Sequence, residues 1–113
     1  MLSGIYTAEF LSNQSLMGRG VAIFTENAIH GGDAAFYYKG KYRRDGENRI
    51  SAEVQVIDYS GKKQSVLGPL GVFWLTLTGI KKDQQFTLVG EVEGQPNLKI
   101  SIILRKVDEL VET

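Results

Sequence analysis

Gln84-Gln85-Phe86-Thr87-Leu88-Val89-Gly90-Glu91-Val92-Glu93-Gly94-Gln95-Pro96-Asn97-Leu98-Lys99-Ile100-Ser101-Ile102-Ile103-Leu104-Arg105-Lys106 is the stretch that decides the fold. Phe86, Leu88, Gly90 and Val92 alternate with Thr87, Glu91 and Glu93. Past the turn-forming Gly94-Gln95-Pro96-Asn97, Leu98, Ile100, Ile102 and Leu104 alternate with Lys99, Ser101 and Arg105. Successive side chains of a strand point to opposite faces. The stretch therefore reads as two antiparallel strands, Gln84–Glu93 and Leu98–Lys106, each with one dry and one wet face. Apolar residues do not recur at the spacing of a helix.

The same habit spreads outward in both directions. In Arg49–Asp58, Ile50, Ala52, Val54 and Val56 oppose Ser51, Glu53 and Gln55. In Ala35–Arg44, Phe36, Tyr38, Gly40 and Tyr42 share one face, and Tyr37, Lys39, Lys41 and Arg43 the other. Gly40 inside that aromatic row predicts a bend or bulge. Further strands are predicted over Gly4–Ser12, Arg19–Thr25, Ala28–His30 and Leu70–Ile80. Most links are of hairpin length, and Tyr59–Pro69, with Ser60-Gly61 and Gly68-Pro69, is the one long connection. About eight consecutive strands of this kind make an all-β, antiparallel up-and-down meander. Closure into a β-barrel removes its edges and leaves an interior for side chains or one small ligand. A β-sandwich has the same periodicity and is the alternative.

A chain of 113 residues is one domain, and this one divides into a barrel over residues 1–106 and an acidic tail over 107–113. It can bury roughly two-thirds of its unfolded surface without cross-links. Cysteine is absent, which excludes disulfides, thiolate metal sites and a cysteine nucleophile. The 13 basic and 13 acidic side chains cancel, so the basic excess that phosphate recognition demands is missing and direct nucleic-acid binding is not expected. Met1 to Phe10 lacks the pattern of a secretory signal. Val66 to Ile80 is too short and too broken by Gly and Pro to span a bilayer. The expectation is a cytoplasmic protein that does not engage membranes.

No constellation for catalysis emerges. His30, the only histidine, and Asp33 flank Gly31-Gly32. A metal takes three or more protein ligands, and there is neither a second histidine nor a cysteine to supply them. The segment reads instead as a turn in which Gly31 and Gly32 take positive φ and Asp33 caps backbone amides. Gly18-Arg19-Gly20 precedes a strand, whereas a phosphate-cradling loop precedes a helix. No Ser/His/Asp set can be assembled. A non-enzymatic protein without metal or cofactor is expected.

The faces carry the remaining candidates. Lys39, Lys41 and Arg43, with Arg44, form a basic row that reads as a solvated outer face. Ile57, Val89 and Ile103 sit on otherwise polar faces, as a homodimer patch would. Trp74, in Val72-Phe73-Trp74-Leu75, is expected in the core, with the Tyr59–Pro69 loop or a second subunit over one side. By strand parity, Tyr6, Phe10, Phe36, Tyr38, Tyr42, Val54, Phe86, Leu88 and Ile100 point into the barrel, where they line a pocket or fill it.

Gly4-Ile5-Tyr6 with Phe10, Ser12 and Asn13, then Gly18 and Gly20, then Ile29 with Gly31-Gly32-Asp33, then Tyr38-Lys39-Gly40, together resemble the GrlR family, small negative regulators of a bacterial type III secretion locus. The resemblance is strongest over residues 4–42, and its most specific piece is Gly31-Gly32-Asp33 at this distance from Gly4-x-Tyr6. It implies a lipocalin-like (calycin-like) barrel, a homodimer, and repression by binding a transcriptional activator protein instead of DNA. The family's best-known member presents an acidic Glu-Asp-Glu-Asp stretch in the loop after the strand matching Ala35–Tyr42. Here that loop, the candidate partner-binding segment, reads Arg43-Arg44-Asp45-Gly46-Glu47-Asn48. Beside this regulatory expectation stands a lipocalin-like carrier or sensor of a small apolar ligand.

Overall fold

In the computed structural model, which describes residues 2–112, the alternation is expressed as eight strands: β1 (Gly4–Ser12), β2 (Met17–Phe24), β3 (Ala28–Gly32), β4 (Phe36–Arg44), β5 (Arg49–Asp58), β6 (Val72–Lys82), β7 (Gln85–Val92) and β8 (Gln95–Asp108). Each pairs antiparallel with the next, and β1 pairs with β8, so the sheet is a closed up-and-down barrel and not a sandwich. Met1 and Thr113, the extremes of the expected domain and tail, lie outside the described residues. Among the described residues no helix is long and apolar enough to cross a membrane.

Strand limits differ from the predicted ones where side-chain pattern and hydrogen bonding diverge. β3 continues through Gly31 and Gly32, which pair with Ala22 and Val21 on one side and Tyr38 and Tyr37 on the other. Neither glycine has positive φ; the turn begins at Asp33. Gly31 is required by close approach instead, since a Cβ there would lie 2.2 Å from the Val21 carbonyl oxygen. Gly40 likewise marks no bulge. The β4–β5 register runs unbroken through Gly40↔Val54, and a Cβ on Gly40 would meet the Glu53 carbonyl oxygen at 2.1 Å. The inner face is so tightly coiled there that only hydrogen fits. Register shifts occur elsewhere, at Ile5/Tyr6 and at Glu91/Val92. β8 runs two residues past the predicted domain limit, to Asp108, because Asp108 pairs with Ile5.

The dry faces meet inside. The core includes Tyr6, Ala8, Ala22, Phe24, Val54, Val56, Leu75, Leu77, Phe86, Leu88, Ile100, Ile102 and Leu104, and no buried side-chain polar atom lacks a hydrogen-bond partner among the described residues. Trp74 is on the wet face, 41% exposed, and Val72 beside it is 60% exposed. The run Val72–Leu75 is apolar on both faces, but only Phe73 and Leu75 are buried. The long loop turns across the end of the barrel and leaves the Trp74 face uncovered. Nor do Ile57, Val89 and Ile103 form one patch. Ile57 lies between Tyr37 and Val72, whereas Val89 lies between Thr78 and Ser101, and Ile103 between Thr87 and Glu9.

Candidate functional site

The two ends of the barrel are built differently. At one end Tyr6, Phe24, Tyr42 and Phe86 pack into an aromatic floor. The Phe24 ring lies 4.8 Å from that of Tyr6 and 5.1 Å from that of Tyr42, and it is nearly parallel to Phe86 at 6.3 Å. The phenols are anchored to backbone: Tyr6 donates to the Leu2 carbonyl at 2.8 Å, and Tyr42 donates to the Thr25 carbonyl. Burial, more than the neighbouring Tyr42 and Glu109, pushes the Tyr6 phenol up to about 12, and burial also raises Tyr42. Buried phenols resist ionisation because a phenolate there would lack solvation.

Above this floor the barrel is hollow. A cavity of about 320 Å³ runs to the opposite end, lined by Ala8, Phe10, Gly18, Ala22, Ile29, Phe36, Tyr38, Val54, Val56, Phe73, Leu75, Leu88, Ile100 and Ile102, with Phe24 at its base. Its origin is legible in residue size. The inner face of β1 and β2 at this level carries Ala8, Gly18 and Ala22, which do not reach the barrel axis. Larger side chains there would fill the lumen, as they do in most small barrels.

The long β5–β6 connection partly covers the far end. Leu67, 2% exposed, is its deepest residue, and Val66 and Ser65 also face the cavity. The loop is held locally. Asp58 accepts from the amides of Ser60, Gly61 and Lys63 at 2.7, 3.1 and 2.6 Å, and the Ser65 hydroxyl donates to the Gly68 carbonyl at 2.9 Å. The Ser60 hydroxyl, followed by those amides, holds the Asp58 carboxyl below its ordinary range. Gly61 and Gly68 supply positive φ of 80° and 114°, a region in which glycine meets no Cβ clash.

Polar groups gather at the mouth. One oxygen of the Asp33 carboxylate accepts from the amides of Ala35 and Phe36, each at 2.8 Å, and the other accepts from the Tyr38 hydroxyl. Asp33 is thus the amide cap expected from its position, and it also lines the cavity. Burial, then the bond to Asp33, drives the Tyr38 phenol well above its ordinary value. His30 is exposed on the outer face between Ile23 and Lys39 and has no part in this arrangement.

Of the predicted interior residues, Phe10, Phe36, Tyr38, Val54, Leu88 and Ile100 line the cavity, while Tyr6, Tyr42 and Phe86 lie below it in the floor. The resemblance residues are divided between the ends, with Gly4 and Tyr6 at the floor, and Gly31, Gly32 and Asp33 near the mouth. The Arg43–Asn48 hairpin is also at the floor end, far from the cavity. Arg43 donates to the Asp45 carboxylate at 3.0 Å, Arg44 donates to the Glu47 carbonyl at 2.9 Å, and the Ser51 hydroxyl donates to Asp45. The Ser51 bond, followed by Arg43, holds the Asp45 carboxyl below its ordinary range. Gly46 takes φ of 130° in the turn. A second, polar cleft runs beside it, lined by Leu2, Ser3, Glu26, Asn27, Tyr42, Arg43 and Arg44. No group of three or more metal-binding side chains exists among the described residues.

Sequence reasoning missed Ala8, Gly18, Ala22, Ile29, Val56, Leu67, Phe73, Leu75 and Ile102 as lining residues. The signal for Ala8 and Ala22 was present as small residues at inward parity. Leu67 carried none, because a loop residue has no strand parity.

No family model and no curated protein matches the chain. Among solved structures it is similar to a redesigned β-barrel, with 13% sequence identity over 95% of this chain and 92% of that chain and a TM-score of 0.68. That likeness establishes the closed barrel architecture and carries nothing about activity.

Proposed function

We propose that the protein is a binding protein for a small apolar ligand held inside the barrel. The observation that carries this is the 320 Å³ lumen, whose lining is apolar apart from groups at its mouth. Ligand sites are typically concave, largely apolar and furnished with a few placed polar groups, and this volume falls at the lower end of their range. The floor seals one end, and the loop bearing Leu67 stands over the other.

The test is binding of a short alkyl compound, followed by isothermal titration and native mass spectrometry, to the wild type and to Ala22→Leu. The substitution extends a side chain from β2 into the lumen. Saturable one-to-one binding that Ala22→Leu abolishes supports the reading. Binding that Ala22→Leu leaves intact places the compound elsewhere and defeats it.

A second reading has its own observation. Tyr37, Ile57, Val72 and Trp74 are neighbours on the outer face of β4, β5 and β6, and the Tyr59 ring lies 6.4 Å from Tyr37. Exposed aromatic and aliphatic clusters of this kind occur where proteins meet partners. Together with the GrlR resemblance, the cluster supports a cytoplasmic, dimeric negative regulator that holds a transcriptional activator by protein contact. In this chain the contact would run through that face, since Asp45, one of the two acids of Arg43–Asn48, is already engaged by Arg43 and Ser51. Co-purification of an activator from the native host, with altered transcript levels on deletion, is the expected result. Retention of no partner together with unchanged transcripts would refute it.

A further inference from the structure

Every side chain in the deep lumen is a hydrocarbon, so whatever distinguishes one ligand from another acts at the mouth. Arg19 borders the cavity, but it stands opposite Glu9 in the β1–β2 register, on the outer face. The Ser65 hydroxyl is already donated to the Gly68 carbonyl, and Gln64 lies exposed on the loop. What remains inside the rim is the Asp33–Tyr38 pair. A carboxylate has about four lone-pair sites; Ala35, Phe36 and Tyr38 donate to three of them. The Tyr38 hydroxyl gives its one hydrogen to Asp33, so towards the lumen its oxygen presents only lone pairs. The Asp33–Tyr38 pair therefore offers acceptors and negative charge, while the donors that border the cavity, Arg19 and Gln64, lie on its exposed side.

We infer that the ligand is an amphiphile whose polar head donates hydrogen bonds, an alcohol, primary amide or ammonium, seated on Asp33 and Tyr38 with its alkyl chain in the lumen. The inference rests on the binding function proposed above and assigns the head group. An ionised carboxylate head, as on a free fatty acid, is opposed by the chemistry: it brings a second negative charge against Asp33 where water is partly displaced and the repulsion is poorly screened. Length follows from volume. At roughly 30 Å³ per water-sized unit, 320 Å³ holds about ten non-hydrogen atoms, a chain of about eight to ten carbons.

The experiment compares 1-decanol, decylamine and decanoate at neutral pH and at concentrations below their micelle thresholds, by isothermal titration against the wild type and Asp33→Asn. Asparagine keeps an oxygen for the Ala35 and Phe36 amides, so the turn is retained, and the wild-type series stands alone if the variant does not fold. The wild type is expected to bind decanol and decylamine at least about tenfold more tightly than decanoate. Asp33→Asn is expected to weaken decylamine by about tenfold and to strengthen decanoate. If decanoate binds the wild type as tightly as decanol does, the head-group assignment is wrong while the lumen remains a binding site. If none of the three binds, the binding function itself fails.

Discussion

Phe24→Ala tests whether the aromatic floor is what holds this barrel together. Phe24 is 0% exposed and touches three other rings, Tyr6, Tyr42 and Phe86. Removing a buried phenyl ring costs roughly 3–5 kcal/mol, from lost transfer energy together with the void left behind. The surroundings here cannot collapse into that void. β2 is hydrogen-bonded to both β1 and β3, and the space above is already empty, so at least the middle of the range applies, about 4 kcal/mol. Against a total of about 5–15 kcal/mol for a domain of this size, that is a large fraction. It corresponds to a fall in Tm of roughly 15–25 °C. Urea unfolding followed by far-ultraviolet circular dichroism measures it, with the slope m compared to confirm that the unfolded states match. Phe24→Leu, which keeps most of the volume, should lose only about 1–2 kcal/mol. A loss below about 1 kcal/mol for Phe24→Ala would show that the floor is loosely packed, and the division into sealed and open ends would be wrong.

Gly40→Ala should destabilise by more than about 2 kcal/mol, because its Cβ would overlap the Glu53 carbonyl oxygen at 2.1 Å; urea unfolding within about 0.5 kcal/mol of wild type would contradict the close approach. Trp74→Ser should leave stability within about 1 kcal/mol of the wild type, and in the wild type acrylamide should quench the Trp74 emission readily; a protected, blue-shifted emission would mean the face is covered. Ultraviolet titration should find Tyr6 and Tyr38 ionising later than in the urea-unfolded chain, Tyr6 at about 12. Their folded values lie above the unfolded one of about 10, so the unfolded chain releases these protons first. The stability they contribute is complete below pH of about 10 and is lost as pH rises through the folded values; a stability profile flat across that window would refute the burial of these phenols.

The barrel was readable because its information is local. Ile50, Ala52, Val54 and Val56 declare a buried face without reference to any other strand, and links such as Gly94 declare where the chain turns. What escaped reading depends on the sheet's curvature or on loop placement. Gly31 and Gly40 looked like turn and bulge residues, yet neighbouring backbone crowds them only once the strands coil around a small circumference. Trp74 looked like core because its neighbours Phe73 and Leu75 are apolar, but parity put it outside. The pocket residues were half legible. Parity gave Phe10, Phe36, Tyr38, Val54, Leu88 and Ile100, but the difference between floor and lumen depends on height along the axis. Asp33 was identified as a cap from local pattern alone, and its second role as a rim group required knowing that Tyr38 and Gly20 come together beside it.

The β1–β8 pairing leaves every strand with a hydrogen-bonded neighbour on each side. A growing fibril or an exchanged protomer has only short unpaired stretches, such as Met17–Gly20 of β2, to template on while that ring of ladders is intact. Polymerisation must wait for a strand to be torn out, so conditions that favour aggregates of this protein should be those that unfold it, and crowding the native form should by itself produce none.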